Sequence, residues 1–242
     1  MQRFYSDKHL EKIAKKALYE EYNEEFEVRN IYQQVWTEFY AVCSPVKDET
    51  VVFEARFYKD GRLIYDYYMD ETIRDEIRDE VSKCLIDLWS DYYIDGHSIY
   101  VFKLEERNKD ITLDSYVDLT YEMAEEDGEN DQSPYAAVAI YLPMSEYLNT
   151  RPEDEYEIFE SKVQELINDR VIPPITVNVY VIADYQLQHI KEYWEKYAVE
   201  YSSFRDMRGD KVYKFSYDKK TGEFLIDYEE YCKIRKEAVE NE

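Results

Sequence analysis

Glycine is scarce in this chain. The five present, Gly61, Gly96, Gly128, Gly209 and Gly222, stand far apart, so neither GxGxxG nor GxxxxGK[ST] occurs and nucleotide chemistry of those classes has no support. A GxSxG nucleophile elbow is missing as well. The three histidines, His9, His97 and His189, never fall in HxxxH or HExxH spacing, and no CxxC occurs; no metal and no cofactor is expected. Cys43, Cys84 and Cys232 are odd in number and unpatterned, which fits reduced thiols and a cytoplasmic location better than a disulfide framework. No run approaches the ~20 apolar residues that span a bilayer, and the start, MQRFYSDKHLEKIAKKALYEEY, has charges where a signal peptide carries its apolar region. Basic residues are also few, 30 against 55 acidic ones, a net charge of -25. Phosphate backbones and anionic lipid surfaces both attract Lys and Arg, so direct nucleic-acid binding and membrane binding are disfavoured.

Core-forming residues are plentiful. With 45% hydrophobic residues the chain has far more apolar material than an acidic disordered tail, and it should fold. Apolar residues at helical spacing, Leu10, Ile13, Ala14, Ala17 and Leu18, predict a helix over Asp7 to Tyr22, capped by Ser6 or Asp7. Its other side carries Lys8, Lys12, Lys15 and Lys16, able to pair with Glu21, Glu24, Glu25 and Glu27.

From Phe26 to Tyr68 the period becomes two. Val35 to Cys43 reads as one strand, Val51 to Tyr58 as another, and Asp60-Gly61 predicts a type I′ hairpin into Leu63-Ile64-Tyr65. A helix followed by such a meander resembles the cystatin-like arrangement, in which a sheet wraps a helix. That resemblance implies architecture and carries no function.

Ile73, Ile77, Val81, Cys84, Leu85, Leu88 and Trp89 form one stripe and predict a helix over Asp70 to Asp91, with Cys84 a small core residue. Asp95-Gly96 is read as a turn into a strand over Ile99 to Leu104. A helix is expected from a Thr112 cap to Ala124, then a polar loop over Glu125 to Pro134, and a central strand over Tyr135 to Leu142. Pro152 to Val171 reads as helix, stopped by Pro173-Pro174, then Ile175 to Ala183 as buried strand and Asp184 to Tyr201 as helix. Lys211 to Tyr217 and Phe224 to Tyr228 suggest a second hairpin around Gly222, and Glu229 to Val239 a closing helix. The expected class is α+β, amphipathic helices on mainly antiparallel sheet. One continuous body is expected, or one divided into two lobes, residues 1–110 and 111–242.

Carboxylates are so abundant that paired acids discriminate nothing. Tyr65, Tyr67, Tyr68, Tyr92 and Tyr93 are candidates for a sugar-binding wall, but the favoured reading is tyrosine as the half-buried residue of strands and helix flanks. The loop Glu125 to Asp131 offers oxygens to calcium, but its register is wrong for an EF-hand. His97, beside Asp95-Gly96, is the histidine best placed for catalysis.

Charge placement is the largest clue. Residues 121 to 160 hold twelve acids (Glu122, Glu125, Glu126, Asp127, Glu129, Asp131, Glu146, Glu153, Asp154, Glu155, Glu157, Glu160) against Arg151 alone, a local net of 1 − 12 = −11. The leading expectation is therefore an interaction protein without catalytic motif that binds a basic protein partner. Its candidate contact residues are Glu125, Glu126, Asp127, Glu129, Asp131, Glu153, Asp154 and Glu155. A DNA mimic is a sharper version: a body of this length spans roughly 45 Å, where duplex DNA carries on the order of 27 phosphates. A carboxylate-dependent hydrolase, with a raised-pKa acid near His97 in an inter-lobe cleft, is the alternative from another class.

Overall fold

Asp7–Tyr22 (α1) is helical as its spacing requires, with Leu10, Ala14, Ala17 and Leu18 buried. Ser6 occupies the N-cap position with its carbonyl, which accepts from the His9 and Leu10 amides at 2.8 and 3.1 Å. Its side chain makes no capping bond. Asn23 ends the helix in the left-handed region, φ 52°, where its short polar side chain is tolerated. The computed structural model describes residues 5–35, 37–98, 112–126, 136–197 and 212–240, with side chains at all of these except 34, 35, 96–98, 123, 126 and 193–197.

Four antiparallel strands follow as a meander: Phe26–Val35 (β1), Glu38–Pro45 (β2), Phe53–Tyr58 (β3) and Leu63–Asp66 (β4), in the order β1-β2-β3-β4. Alternation aims Phe39, Ala41, Cys43, Phe53, Ala55 and Phe57 into one core with α1. The opposite face carries the register row Tyr32, Tyr40, Arg56 and Tyr65. Arg56 lies 5.1 Å from the Tyr40 ring centre and 5.9 Å from that of Tyr65, and its Nε donates to Glu38 at 2.8 Å.

Two details differ from expectation. The strand read over Val35 to Cys43 is interrupted, because the chain reverses and Val35 pairs with Glu38; no Gly, Pro, Asn or Asp marks that reversal. The Asp60-Gly61 hairpin forms, but only Gly61 has positive φ (100°), and Gly61 N–H donates to the Tyr58 carbonyl while Tyr58 N–H donates to that of Arg62. This is the three-residue loop with a glycine bulge in place of a type I′ turn.

Tyr68–Leu85 (α2) begins where buried Asp66 accepts from the Tyr68 amide at 3.0 Å and from the Tyr22 hydroxyl at 2.8 Å. It ends earlier than the stripe suggests, with Trp89 buried beyond the last turn. The chain divides inside this helix: one compact unit ends at Thr72 and another begins at Ile73. Tyr93–Ser98 (β5) hydrogen-bonds to a strand of the second unit. Asp95 and Gly96 lie within β5, opposite Ala139 and Val138, so the expected turn there is corrected. An edge strand accommodates glycine where a central one would lose packing. The strand expected over Ile99 to Leu104 lies outside the described residues.

The second sheet has the order β5-β6-β7-β8, with Ala136–Pro143 (β6), Ile175–Ile182 (β7) and Val212–Ser216 (β8). β6 is buried throughout, as its two apolar faces imply. β6 and β7 are parallel, the one parallel pair among the described strands. Their crossover contains Met144–Asn149 (α4), Pro152–Glu157 (α5), a π-helical stretch Ile158–Val163, and Gln164–Asn168 (α6). The helix expected over Pro152 to Val171 is therefore widened in its middle, and Tyr217 donates to the Phe159 carbonyl inside that wider turn. Leu113–Glu126 (α3) starts at Thr112, whose hydroxyl accepts from the Ser115 amide at 3.3 Å. Asp184–Tyr197 (α7) packs Leu187 and Ile190 against Ala139 and Tyr141.

Tyr228–Glu240 (α8) closes the described chain. The second hairpin shrinks to a single bridge, Tyr217 to Phe224. Gly222 adopts φ +76°, and a Cβ there would lie 2.9 Å from Ile167 Cγ2. Gly222→Ala should destabilise the protein by about 1–3 kcal/mol in urea unfolding; an unchanged midpoint would show that the loop shifts freely. The α+β class and mainly antiparallel pairing agree with the sequence reading.

Candidate functional site

Among the described residues, the acids of the segment 121–160 lie in different surroundings. Glu125 is exposed at the end of α3, whereas the side chain of Glu126 and all of Asp127, Glu129 and Asp131 lie outside what is described. Glu146 turns to Ser90, accepting from its amide at 3.3 Å and from its hydroxyl. Pro152 at the start of α5 places Glu153, Asp154 and Glu155 in the first helical turn, where the positive end of the helix dipole favours carboxylates. Asp154 pairs with Arg151, Nε to Oδ2 at 2.8 Å.

Glu155 corrects the sequence reading. It is fully buried and cannot meet a partner, because its position on α5 faces the core. Arg235 of α8 donates from Nε to Glu155 Oε2 at 2.7 Å, and Tyr213 of β8 donates to the other oxygen. Arg235 Nη2 donates to the carbonyls of Tyr147 and Thr150 at 2.8 and 3.0 Å, and the Tyr147 ring centre lies 4.2 Å from its guanidinium. The Tyr147 hydroxyl returns a bond to the Arg235 carbonyl at 3.0 Å. Burial pushes Glu155 up, opposed by Arg235 and Tyr213; burial and then Glu155 push the Tyr213 and Tyr231 hydroxyls well above the ordinary tyrosine value.

Above that network, α5 and α8 present an acidic aromatic face. Tyr156 donates to the Ile226 carbonyl at 3.3 Å and stacks edge-on against Tyr228 at 5.3 Å. Burial, then the Glu160 and Asp227 carboxylates, push its hydroxyl up. A hydrogen bond from Tyr228 holds the Glu153 carboxyl below its usual range. Tyr228 is 38% and Leu225 56% exposed, so ring and apolar surface sit among the carboxylates. Of the sequence candidates, Glu153 and Asp154 belong to this region. Asp227, Tyr228 and Leu225 were missed, since some seventy residues separate them from α5; the acid-tyrosine pairs Glu155-Tyr156 and Asp227-Tyr228 were the available signal.

A second group of titratable residues lies on α2 and β5. Arg78 binds Asp75 at 2.7 Å and Asp79 at 2.9 Å. Burial raises Asp75 above its ordinary 3.8 despite Arg78 and Arg74. Tyr93, its hydroxyl raised by burial and then by Asp95, shares a register row with Tyr141, ring centres 6.1 Å apart. The backbone of His97 continues this strand opposite Ala137. Because the folded state binds the Asp75 proton more tightly than the unfolded chain, stability from this group is complete below pH 3.8 and is lost as pH rises through the raised value. Asp75→Asn should flatten that limb of a stability-pH curve measured by urea titration; an unaltered slope would assign the raised value elsewhere.

The remaining candidates separate. Tyr68 is buried in the first core, Tyr65 and Tyr67 lie 5.3 Å apart in the first unit, and Tyr92 and Tyr93 belong to the second, with Tyr92 bonded to Ser82 at 2.9 Å. Cys43 and Cys84 are buried and their thiols raised by that burial, as core residues should be. Of the basic side of α1, Lys15 pairs with Glu27 at 2.7 Å and with Glu11 at 3.0 Å. Among the described residues no three His, Cys, Asp or Glu side chains are grouped to hold a metal ion, and no helix is long and apolar enough to cross a membrane.

No family model matches the chain, and no curated protein matches it in sequence. A DUF5037 family protein from Ruminococcus gnavus ATCC 29149, known from its crystal structure, is similar in fold. The TM-score is 0.70 over 96% of this chain and 100% of that one, at 19% sequence identity. The likeness concerns the α+β fold and carries no activity.

Proposed function

We propose that this chain is an interaction protein that binds a basic protein partner through the α5–α8 face. The observation that carries this reading is the edge-on pair of Tyr156 and Tyr228, ring centres 5.3 Å apart, with exposed Glu153 and Glu160 three residues before and four after Tyr156 and exposed Asp227 beside Tyr228. Carboxylates attract a cationic segment from a distance, and an aromatic face beside them gives an arginine or lysine a stacking surface that scattered acids lack. The net charge of -25 adds long-range attraction for the same partner.

Titration calorimetry with an oligoarginine peptide tests the reading. The triple variant Glu153→Lys, Glu160→Lys, Asp227→Lys should bind about tenfold more weakly than a control triple, Glu20→Lys, Glu25→Lys, Glu49→Lys, which changes net charge equally in the first unit. Equal affinities of the two triples would mean that total charge, and not this face, sets binding.

The burial-raised Asp75 beside Arg78, with Asp95 and Tyr93 on the neighbouring strand, favours a second reading, a carboxylate-dependent hydrolase. Turnover of chromogenic glycosides or esters that disappears in Asp75→Asn would support it. Absence of turnover across such a panel counts against it.

A further inference from the structure

The two halves of the proposed face come from distant parts of the chain, α5 and the segment Leu225 to Tyr228 at the start of α8. What joins them beneath the surface is not purely apolar. Arg235 sits 6% exposed, two turns along α8 from Tyr228, and Glu155 sits fully buried between Asp154 and Tyr156. Each uses its partner to satisfy a buried charge, and Arg235 also gathers the Tyr147 and Thr150 carbonyls of the α4–α5 connection. Three hydrogen bonds from Arg235 thus define one seating of α8 on α5. Apolar packing of Tyr231 against Tyr156 and Phe215 would tolerate small slides; a bonded guanidinium aimed at two carbonyls and a carboxylate does not.

We infer that Arg235 and Glu155 are positioning residues for partner binding: they fix the register of α8 on α5 and so bring Asp227 and Tyr228 to Glu153 and Tyr156. The inference rests on the proposed α5–α8 reading and deepens it, for it names buried residues that no partner touches yet on which affinity depends. It also separates two roles within one helical turn, Glu153 meeting the partner and Glu155, two residues on, holding the frame.

Three proteins test this: the wild type, Arg235→Met, and the apolar triple Glu155→Leu, Tyr213→Phe, Arg235→Met. Hydrogen exchange of residues 228–240 reports the seating of α8, exchange in β6 reports that the unit is folded, and titration with the oligoarginine peptide reports affinity. Arg235→Met should keep β6 protected, lose protection in α8 and bind about tenfold more weakly. The apolar triple regains α8 protection, since its core carries no unpaired charge, but its affinity stays below wild type because nothing fixes the register. Wild-type affinity in Arg235→Met, or in the triple, overturns the inference while leaving the α5–α8 face standing. A wild-type protein that ignores the peptide sinks the partner reading itself, and this inference with it. Loss of β6 protection in Arg235→Met would show that the pair maintains the whole unit and would equally overturn a positioning role.

Discussion

Arg235→Met should lower the free energy of opening α8 by about 3–5 kcal/mol, read from hydrogen exchange of residues 228–240, because it leaves the buried Glu155 carboxylate without its counter-charge. The magnitude exceeds that expected of the surface pairs among the described residues. Lys16 and Glu20, 3.4 Å apart and both well exposed, belong to the class whose removal changes stability by about 0–1 kcal/mol. The difference lies in where water is. On the surface solvent replaces a lost partner, whereas around Glu155 the remaining neighbours are Tyr213 and Tyr231, which cannot supply a positive charge. Replacing all three polar side chains at once, by Glu155→Leu, Tyr213→Phe and Arg235→Met, should recover most of the loss, since no buried charge then remains. A single variant as stable as the wild type would mean that water reaches the site.

Phe53→Ala should cost the first unit about 3–5 kcal/mol, by lost transfer energy and the cavity left behind. Phe53 is 1% exposed and touches Phe26 edge-on at 5.6 Å and Tyr68 at 5.1 Å. Three aromatic rings meeting at one point cannot collapse into the vacated volume without tilting one another. Hydrogen exchange resolved by segment should place the effect in α1 and β1 to β4. A loss below 1 kcal/mol would require that the rings repack.

Much of the fold was legible because its signals are local. The stripe of Leu10, Ala14, Ala17 and Leu18, the alternation through Phe53, Ala55 and Phe57, and the apolar run of β6 each state which face is buried. Failures occurred where no local residue marks the event. The reversal between Val35 and Glu38 has no turn residue, and Asp95-Gly96 looks like a turn but pairs as strand. The site was less legible than the fold. Counting acids singled out Glu153, Asp154 and Glu155 alike, because composition cannot distinguish a carboxylate facing water from one facing Arg235, eighty residues away. Nor could it join Asp227 and Tyr228 to α5, since that proximity is made by the crossover and the last helix.

The most direct measurement is a hydrogen-exchange footprint of the oligoarginine peptide on the whole chain, at about 50 and 300 mM salt, where screening separates contact from distant attraction. Protection concentrated in residues 153–160 and 224–232, persisting at the higher salt, is the predicted result. Protection spread over the acidic surface and erased by salt, or centred on Asp75 and Asp79, would contradict the assignment of the α5–α8 face.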